Sequence, residues 1–209
     1  MARIPAVRPS DAGLKTKLIL RVGPKMMEKL TGRRPENGME PIALYAHAPA
    51  LLGGILKLER ATAKANRVES RLKNLAQLKA STVIGCKYCI DLGSQIGRRS
   101  GLTDEELLAL PRYRESGLFT ELEMLVLDFT VGMTRTPLEV PDGLFSELSK
   151  QFDNPQLVEL TSVIALEGMR SRFNGALGVG AAGFSEGMVC AVPEPTSATA
   201  NGQAALTSS

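Results

Sequence analysis

The chain has 209 residues, enough for one domain with a sizeable core, and 44% of them are hydrophobic. The net charge of +3 is too small to indicate a nucleic-acid-binding protein. No apolar run approaches the roughly 18–20 residues of a membrane-spanning helix, and no signal-peptide pattern is visible. We therefore expect a cytoplasmic protein that binds neither nucleic acid nor membranes.

Helical spacing of apolar residues extends from about residue 14 to residue 178. Apolar side chains recur there at intervals of three and four, which is typical of amphipathic helices, and no convincing alternating strand pattern is found. In chain order the clearest helical segments are 49–65, 70–85, 102–110, 120–134, 141–152 and 154–177. The spacing predicts an all-α fold.

Several of these segments carry signals for the start of a helix. Ser70 is a candidate N-cap, and Thr103 with Glu106 three residues later forms the pattern of a capping box. Pro141 stands at a permitted first-turn position. These signals predict where three of the helices begin.

The two ends of the chain differ in composition from the middle. Residues 1–38 are rich in Lys and Arg and are predicted to form a partly helical extension, followed by a helical domain over residues 39–186. Residues 187–209 are mostly Pro, Ser, Thr and Ala without periodicity, and such a segment buries too little apolar surface to offset its ordering entropy. We predict that this tail is disordered.

Two of the three cysteines, Cys86 and Cys89, lie where one helix ends and the next begins. Gly85 is expected to end the first helix, and a spacing of three places both sulfurs on one face of the second. A helix N-terminus favours thiolate over thiol, and Lys87 adds positive charge. Position and spacing therefore favour redox chemistry.

Two other interpretations of the pair remain open, an inert core pair and half of a metal site. A zinc site needs four ligands, and the remaining candidates, His47 and Cys190, lack ligand-like spacing to a partner. His47 is interpreted as a structural histidine at a helix entry, although it is the only side chain that titrates near neutrality unperturbed. Cys190 is interpreted as an ordinary thiol.

The order of four motifs resembles that of a known family. The segments "LYAHAPALL", "ESRLKNLAQLKASTVIGCKYCID", "GLTDEE" and "RFNGAL" together resemble the carboxymuconolactone decarboxylase family, including its alkyl hydroperoxidase D branch, from about residue 39 to residue 178. The resemblance implies an alkyl hydroperoxidase D-like helical bundle assembled as a homo-oligomer. It also implies peroxide reduction or thiol–disulfide exchange with a thiol or dithiol reductant, a small-molecule peroxide as substrate and no cofactor or metal.

By the same resemblance, Cys89 attacks the peroxide and Cys86 resolves the product. The residues themselves suggest the opposite order, because Cys86 is nearer to the helix start. The family also places a glutamate twelve residues before the first cysteine and a histidine four after the second. Asn74 and Gly93 occupy these positions here, and neither can accept or deliver a proton at neutral pH.

Five other side chains are candidate replacements for that proton relay: Glu69, Tyr88, Asp91, Glu167 and Arg170. Asp91 should point about 200° away from Cys89 on a helix, and Tyr88 is a hydrogen-bond donor between the cysteines but a poor base. The sequence favours a thiol-dependent oxidoreductase. The alternatives are a non-catalytic helical oligomer that serves as a binding module and a cofactor-free lyase of the decarboxylase type.

Overall fold

Residues 2–194, the part of the chain that the computed structural model describes, form ten α-helices and no strand. The helices are α1 (Leu14–Thr31), α2 (Glu40–Tyr45), α3 (Pro49–Lys64), α4 (Ser70–Ile84), α5 (Lys87–Arg99), α6 (Asp104–Ala109), α7 (Tyr113–Ser116), α8 (Glu121–Thr134), α9 (Asp142–Gln151) and α10 (Asn154–Leu177). A 3₁₀ turn, Leu110–Arg112, joins α6 to α7. The predicted all-α fold is confirmed.

Helix α4 lies at the centre of this arrangement and packs against α5, α8 and α10. One apolar cluster joins it to α8, α9 and α10, and it includes Leu72, Phe129 and Leu160. A second joins it to α5, α6 and α8, with Leu78 and Leu107 among its buried members. Because α4 packs against α5 and α10, its position fixes the positions of both of these helices.

None of the helices within residues 2–194 combines the length and the apolar character that crossing a membrane requires.

Three helices begin with a capping box, and two of these boxes are tied to α4. The predicted box is confirmed, and two more occur: Thr103–Glu106 for α6, Thr120–Glu123 for α8 and Asp153–Gln156 for α10. Arg71 of α4 donates to the carboxylates of both Glu106 and Glu123, the latter over 2.7 Å, and to the carbonyl oxygen of Gly101 over 2.8 Å. One guanidinium therefore holds the starts of α6 and α8 against the central helix.

Two predicted helix starts differ by one residue from the structure. The N-cap of α4 is Glu69, without a side-chain cap, and Ser70 is already helical. Pro141 is itself the N-cap of α9 rather than a first-turn residue. In both cases the local signal identified the helix, and the backbone angles of its neighbours decided the boundary.

The N-terminal extension is packed onto the helical domain. Helix α1 contacts α5, where the side-chain amide of Gln95 donates to the carbonyl oxygen of Thr31 over 2.9 Å. Near the start of the chain, the backbone N–H of Val7 donates to the carbonyl oxygen of Ala43 over 3.1 Å. The boundaries predicted at residues 38 and 186 stay a prediction.

The prediction of disorder from residue 187 onwards is corrected for residues 187–194. Ala191 is buried, and its N–H donates to the hydroxyl of Ser94 over 3.0 Å. Arg98 donates to the carbonyl oxygen of Val189, and the two residues that hold this segment, Ser94 and Arg98, both belong to α5. Composition missed this packing because the contacts are supplied by a distant helix. Residues 195–209 lie outside the described part of the chain.

We expect Arg71→Met to lower the free energy of unfolding by about 2 kcal/mol, because two capping carboxylates lose a charge-assisted hydrogen bond. Urea denaturation followed by circular dichroism measures this change. The matched control is Arg8→Met, which breaks the exposed pair with Asp11 and should leave stability unchanged. Equal effects of the two substitutions would contradict the proposed role of Arg71.

Candidate redox site

The two cysteines of the CxxC segment are joined in a disulfide. Gly85 ends α4 in the left-handed conformation, with φ at 80°, and this turn makes Cys86 the N-cap of α5. Cys89 follows one turn later, and the two Cα atoms are 5.3 Å apart. Cys190 is a free, half-buried thiol. The geometry expected from the spacing is therefore present.

Each sulfur has a polar hydrogen-bond donor. The backbone N–H of Cys89 donates to Cys86 Sγ over 3.2 Å, as expected at a helix N-terminus. Asn174 of α10 directs its side-chain amide at both sulfurs, 3.4 Å from Cys89 Sγ and 3.8 Å from Cys86 Sγ. Asn174 is only 3% exposed, and within the described residues its Oδ1 atom accepts no hydrogen bond. The amide is therefore positioned almost entirely by the packing of α10.

A buried carboxylate lies two turns before Asn174 on the same face of α10. Glu167 Oε1 accepts hydrogen bonds from Ser81 over 2.9 Å and from Ser171 over 3.1 Å. Glu167, Ser171 and Asn174 are spaced by four and three residues, which places them along one stripe. Glu167, a candidate replacement base from the sequence, thus lies next to two hydroxyl groups, and neither sulfur is among its hydrogen-bonding partners within residues 2–194.

Arg170 neutralises that carboxylate. It donates to Glu167 Oε2 over 2.9 Å and forms a two-point contact with Glu59 of α3. Burial disfavours the charged guanidinium, but hydrogen bonds and charge from Glu59 and Glu167 raise the pKa of Arg170 above its ordinary value. Arg170 is therefore a permanent cation between Glu59 and Glu167 and does not act as an acid at neutral pH.

The two positions of the family's proton relay hold no acid–base group. Gly93 lies against α4, where an added Cβ atom would stand 3.1 Å from Leu78 Cδ1. Asn74 is half-buried on α4. Within residues 2–194, neither is among the hydrogen-bonding partners of the sulfurs. A histidine at position 93 would have to displace Leu78.

Apolar residues cover the disulfide. Cys86 is 3% and Cys89 is 7% exposed, and they cluster with Leu44, Tyr88, Val179 and Phe184. Phe184 packs edge-on against the ring of Tyr88, with the ring centroids 6.0 Å apart. We call residues 179–185 the cover segment. The two cysteines therefore present little surface to a reagent unless this segment or its neighbours move.

Tyr88 does not donate between the cysteines, in contrast to the role considered for it. Its hydroxyl donates to the carbonyl oxygen of Gly38 over 2.6 Å. Burial raises the pKa of Tyr88, and the charges of Asp91 and Glu40 act in the same direction. The phenol is therefore a neutral donor that attaches α5 to the loop before α2.

Asp91 holds the cover segment in place. Its Oδ2 atom accepts the backbone N–H groups of Ala182, Gly183 and Phe184 over 2.9, 2.7 and 3.0 Å, and its Oδ1 atom accepts that of Ser185 over 2.7 Å. Within residues 2–194, Asp91 is not among the hydrogen-bonding partners of either sulfur. Asp91 is therefore an anchor, and its fully engaged carboxylate is not available as the missing base.

The remaining candidates lie elsewhere. Glu69 is exposed at the start of α4. Nε2 of His47 lies 2.8 Å from the carbonyl oxygen of Pro5, so the ring donates this hydrogen bond and attaches the N-terminal segment. Cys190 Sγ lies 3.4 Å from the hydroxyl of Ser94. In the described part of the chain, no three His, Cys, Asp or Glu side chains are grouped so as to hold a metal ion.

We expect Asp91→Asn to accelerate reduction of the disulfide by a small dithiol roughly 10- to 100-fold, because hydrogen bonds to a charged group contribute about 1.5–3 kcal/mol. The rate is measured by alkylating the released thiols and counting the adducts by mass spectrometry. Asp104→Asn, which alters an exposed carboxylate paired with Arg98, is the control and should react as the wild type does. Identical rates for all three proteins would show that the cover does not limit access.

Comparison with known proteins agrees with this architecture. The model of the carboxymuconolactone decarboxylase family matches residues 49–131. The uncharacterized protein YnjA of Escherichia coli K12 is 32% identical over 135 residues, which cover 64% of this chain and 71% of YnjA.

Two solved structures share the fold. The debrominase Bmp8 superimposes with a TM-score of 0.68 at 22% identity, over 83% of this chain and 88% of Bmp8. An alkylhydroperoxidase AhpD core protein from Ralstonia eutropha JMP134, described as peroxidase-related, gives a TM-score of 0.65 at 17% identity over 85% and 90%. The chain thus belongs to the carboxymuconolactone decarboxylase family and has the fold of its AhpD-like members.

Proposed function

We propose that the protein is a thiol-dependent oxidoreductase whose catalytic residues are Cys89 and Cys86. The observation that carries this proposal is a disulfide at the N-terminus of α5 with a buried amide, that of Asn174, directed at both sulfurs. Donors of this kind stabilise a thiolate, and the thiolate is the reactive form of cysteine. A purely structural pair needs no such donor.

The proposed cycle begins with the reduced protein. The Cys89 thiolate attacks one oxygen of a peroxide, the O–O bond breaks, and the alcohol leaves after it takes up a proton. Cys89 is now a sulfenic acid, and the Cys86 thiol attacks its sulfur, which releases water and forms the disulfide. An external dithiol then reduces this bond by exchange and is itself oxidised. The cycle consumes one peroxide and one dithiol.

The position of Asn174 favours Cys89 as the attacking residue. Its amide nitrogen lies 3.4 Å from Cys89 Sγ and 3.8 Å from Cys86 Sγ, so it is closer to Cys89. Cys86 Sγ accepts a hydrogen bond from the backbone N–H of Cys89, and this bond stabilises Cys86 as the leaving thiolate during exchange. The two donors thereby give the two sulfurs different tasks.

Proton supply should limit peroxide turnover. Asn74 and Gly93 offer no proton, Asp91 is engaged by four N–H groups, and Glu167 is separated from the sulfurs by Ser171 and Asn174. The leaving alcohol must then take its proton from the Cys86 thiol or from water. A positioned acid typically contributes a factor of 10²–10⁴, so we propose that peroxide reduction by this protein is slow.

The proposed cycle needs a dithiol and therefore a reducing compartment, for which the cytoplasm is the natural candidate. The fold is shared with the debrominase Bmp8, a structure of which contains 2,3,4-tribromopyrrole, so this compound belongs in the assay as a candidate electron acceptor beside organic peroxides. The two remaining alternatives, a non-catalytic helical module and a cofactor-free lyase, do not require either cysteine.

We also propose that the protein is a homo-oligomer that associates through α1. Every fourth residue of this helix is apolar and at least half exposed: Leu14, Leu18, Val22, Met26 and Leu30. A stripe of this length on a monomer would leave a large apolar patch in water, which is unusual unless it marks an interface. A second copy of α1 offers the same stripe and gives a closed two-fold contact.

We expect Cys86→Ser to retain peroxide attack and to accumulate a sulfenic acid on Cys89, which a dimedone-type probe traps. Cys89→Ser should lose all turnover, whereas the control Cys190→Ser should match the wild type. Asn174→Leu should slow sulfenic acid formation about tenfold, because the thiolate loses a hydrogen bond to a charged group. Peroxide consumption with an external dithiol and mass spectrometry of the trapped adduct provide the measurements.

A wild-type rate in Cys89→Ser, with no trapped adduct in Cys86→Ser, would leave the pair without a catalytic role. The non-catalytic module would then be the better description. Release of carbon dioxide from a lactone acid by the Cys89→Ser protein would instead support the lyase.

We expect the pair of substitutions Leu18→Lys and Met26→Lys to reduce the mass in solution, because two charges on the stripe cannot be buried without partners. Light scattering should give a multiple of 22.4 kDa for the wild type and a smaller mass for the double variant. Lys25→Gln, a polar exchange on the same helix, serves as the control and should leave the mass unchanged. A wild-type mass of 22.4 kDa at micromolar concentration would refute the interface.

A further inference from the structure

A second polar cluster lies on the other side of α4. Lys79 and Ser81 are two residues apart, so their side chains point about 200° apart around the helix. Ser81 contacts Glu167, which lies on the same face of α10 as Asn174. Lys79 is directed towards Leu110 and Tyr113. The environment of Lys79 is therefore separate from the redox site.

Lys79 is a buried cation. It is 1% exposed, and its Nζ atom donates to the carbonyl oxygen of Leu110 over 2.9 Å and lies 4.4 Å from the centroid of the Tyr113 ring. Burial lowers the pKa of Lys79, and the carboxylate of Glu194 acts in the opposite direction. Glu194 is in ion-pair contact with the ammonium group. A buried ammonium requires such a counter-charge.

A cavity of about 510 Å³ opens beside this ammonium group. Its other two cations are already paired with carboxylates close to them in the chain, Arg114 with Asp128 over 2.6 Å and Arg135 with Glu139 over 3.6 Å. The remaining lining is largely apolar and includes Val131, Leu144, Pro111 and Pro141. A volume of this size is typical of small-molecule sites.

The counter-charge of Lys79 has a different origin from the others. Glu194 belongs to the segment after the last helix, and its backbone N–H donates to the carbonyl oxygen of Thr82 over 3.0 Å. Within residues 2–194, this hydrogen bond and the ion pair are the polar contacts that hold Glu194 at the cavity. The carboxylate is a group on a tether, held where a free carboxylate would be bound.

We propose that this cavity binds a small organic carboxylate, which pairs with Lys79 and places its apolar body between Tyr113, Val131 and Leu144, and that Glu194 is its intramolecular competitor. Tyr113 is kept in position for this contact because its hydroxyl donates to Asp128 over 2.5 Å. The ammonium group supplies one point charge, which suits a single carboxylate with an apolar substituent.

Competition with a tethered group sets the expected affinities. A short flexible tether presents its carboxylate at an effective concentration of the order of millimolar. A free carboxylate of similar intrinsic affinity must exceed that concentration to displace Glu194. Removing the charge at position 194 should therefore raise the apparent affinity for a carboxylate by about tenfold or more, without a new contact.

The test uses benzoate as the probe and benzamide as its neutral counterpart, titrated calorimetrically into the full-length protein. We expect Glu194→Gln to bind benzoate at least about tenfold more tightly than the wild type and to bind benzamide no better than the wild type does. Glu186→Gln, which removes an exposed carboxylate from the same segment, is the matched control and should retain wild-type affinity.

Two further variants in the Glu194→Gln background keep the result interpretable. Lys79→Met should abolish benzoate binding, with folding checked by circular dichroism. Leu144→Trp fills the cavity from a half-buried position on α9 and should also abolish binding without touching the ammonium group. The proposal is overturned if Glu194→Gln binds benzoate no better than the wild type, or if benzamide binds that variant as well as benzoate. Glu194 would then be only the second half of a structural ion pair.

Discussion

The carboxylate of Asp91 is the contact on which the arrangement around the disulfide depends. It collects four consecutive backbone N–H groups, from residues 182–185, and so converts a segment without regular structure into a fixed cover. Phe184 is buried at the centre of that cover, and Tyr88, one residue before Cys89, packs against it. A single charge on α5, the helix that carries Cys89, therefore fixes the segment that packs over the sulfurs after the end of α10.

The central helix α4 has an equally specific part in the fold. One side of it presents Ser81 to the buried carboxylate of α10, and another presents Lys79 to the cavity near α8. Near its start, Arg71 holds the first turns of α6 and α8. Three polar side chains on one helix thus organise three separate regions, and the apolar residues between them supply the packing that keeps these regions in register.

Local features were predictable from the sequence, because each depends on residues a few positions apart. The capping box of Thr103 and Glu106, the position of Cys86 at a helix start and the all-α fold follow from spacing alone. Asn174 and Asp91 did not emerge in their roles, since their partners lie 85 or more residues away. The asparagine of "RFNGAL" was visible as part of a motif, but only the packing of α10 on α5 shows that its amide faces the sulfurs.

The burial of Lys79 was predictable from its position on the helix, although lysine is usually an exposed residue. It stands four residues after Leu75 and seven after Leu72, on the apolar stripe of its helix, so the helical period alone indicates burial. What the period could not indicate is the partner, because Glu194 belongs to a segment whose composition suggested disorder. Composition alone likewise places residues 187–194 in the disordered tail, because it carries no information about distant packing partners.

The buried disulfide imposes an order of events on any reaction with a thiol. Local opening must precede exchange, and such openings have their own rate and free energy. At low reductant concentration the rate of reduction rises in proportion to that concentration. At high concentration the rate reaches a plateau set by the opening of residues 179–185. At such concentrations the rate of local opening, and not the supply of reducing equivalents, would limit turnover.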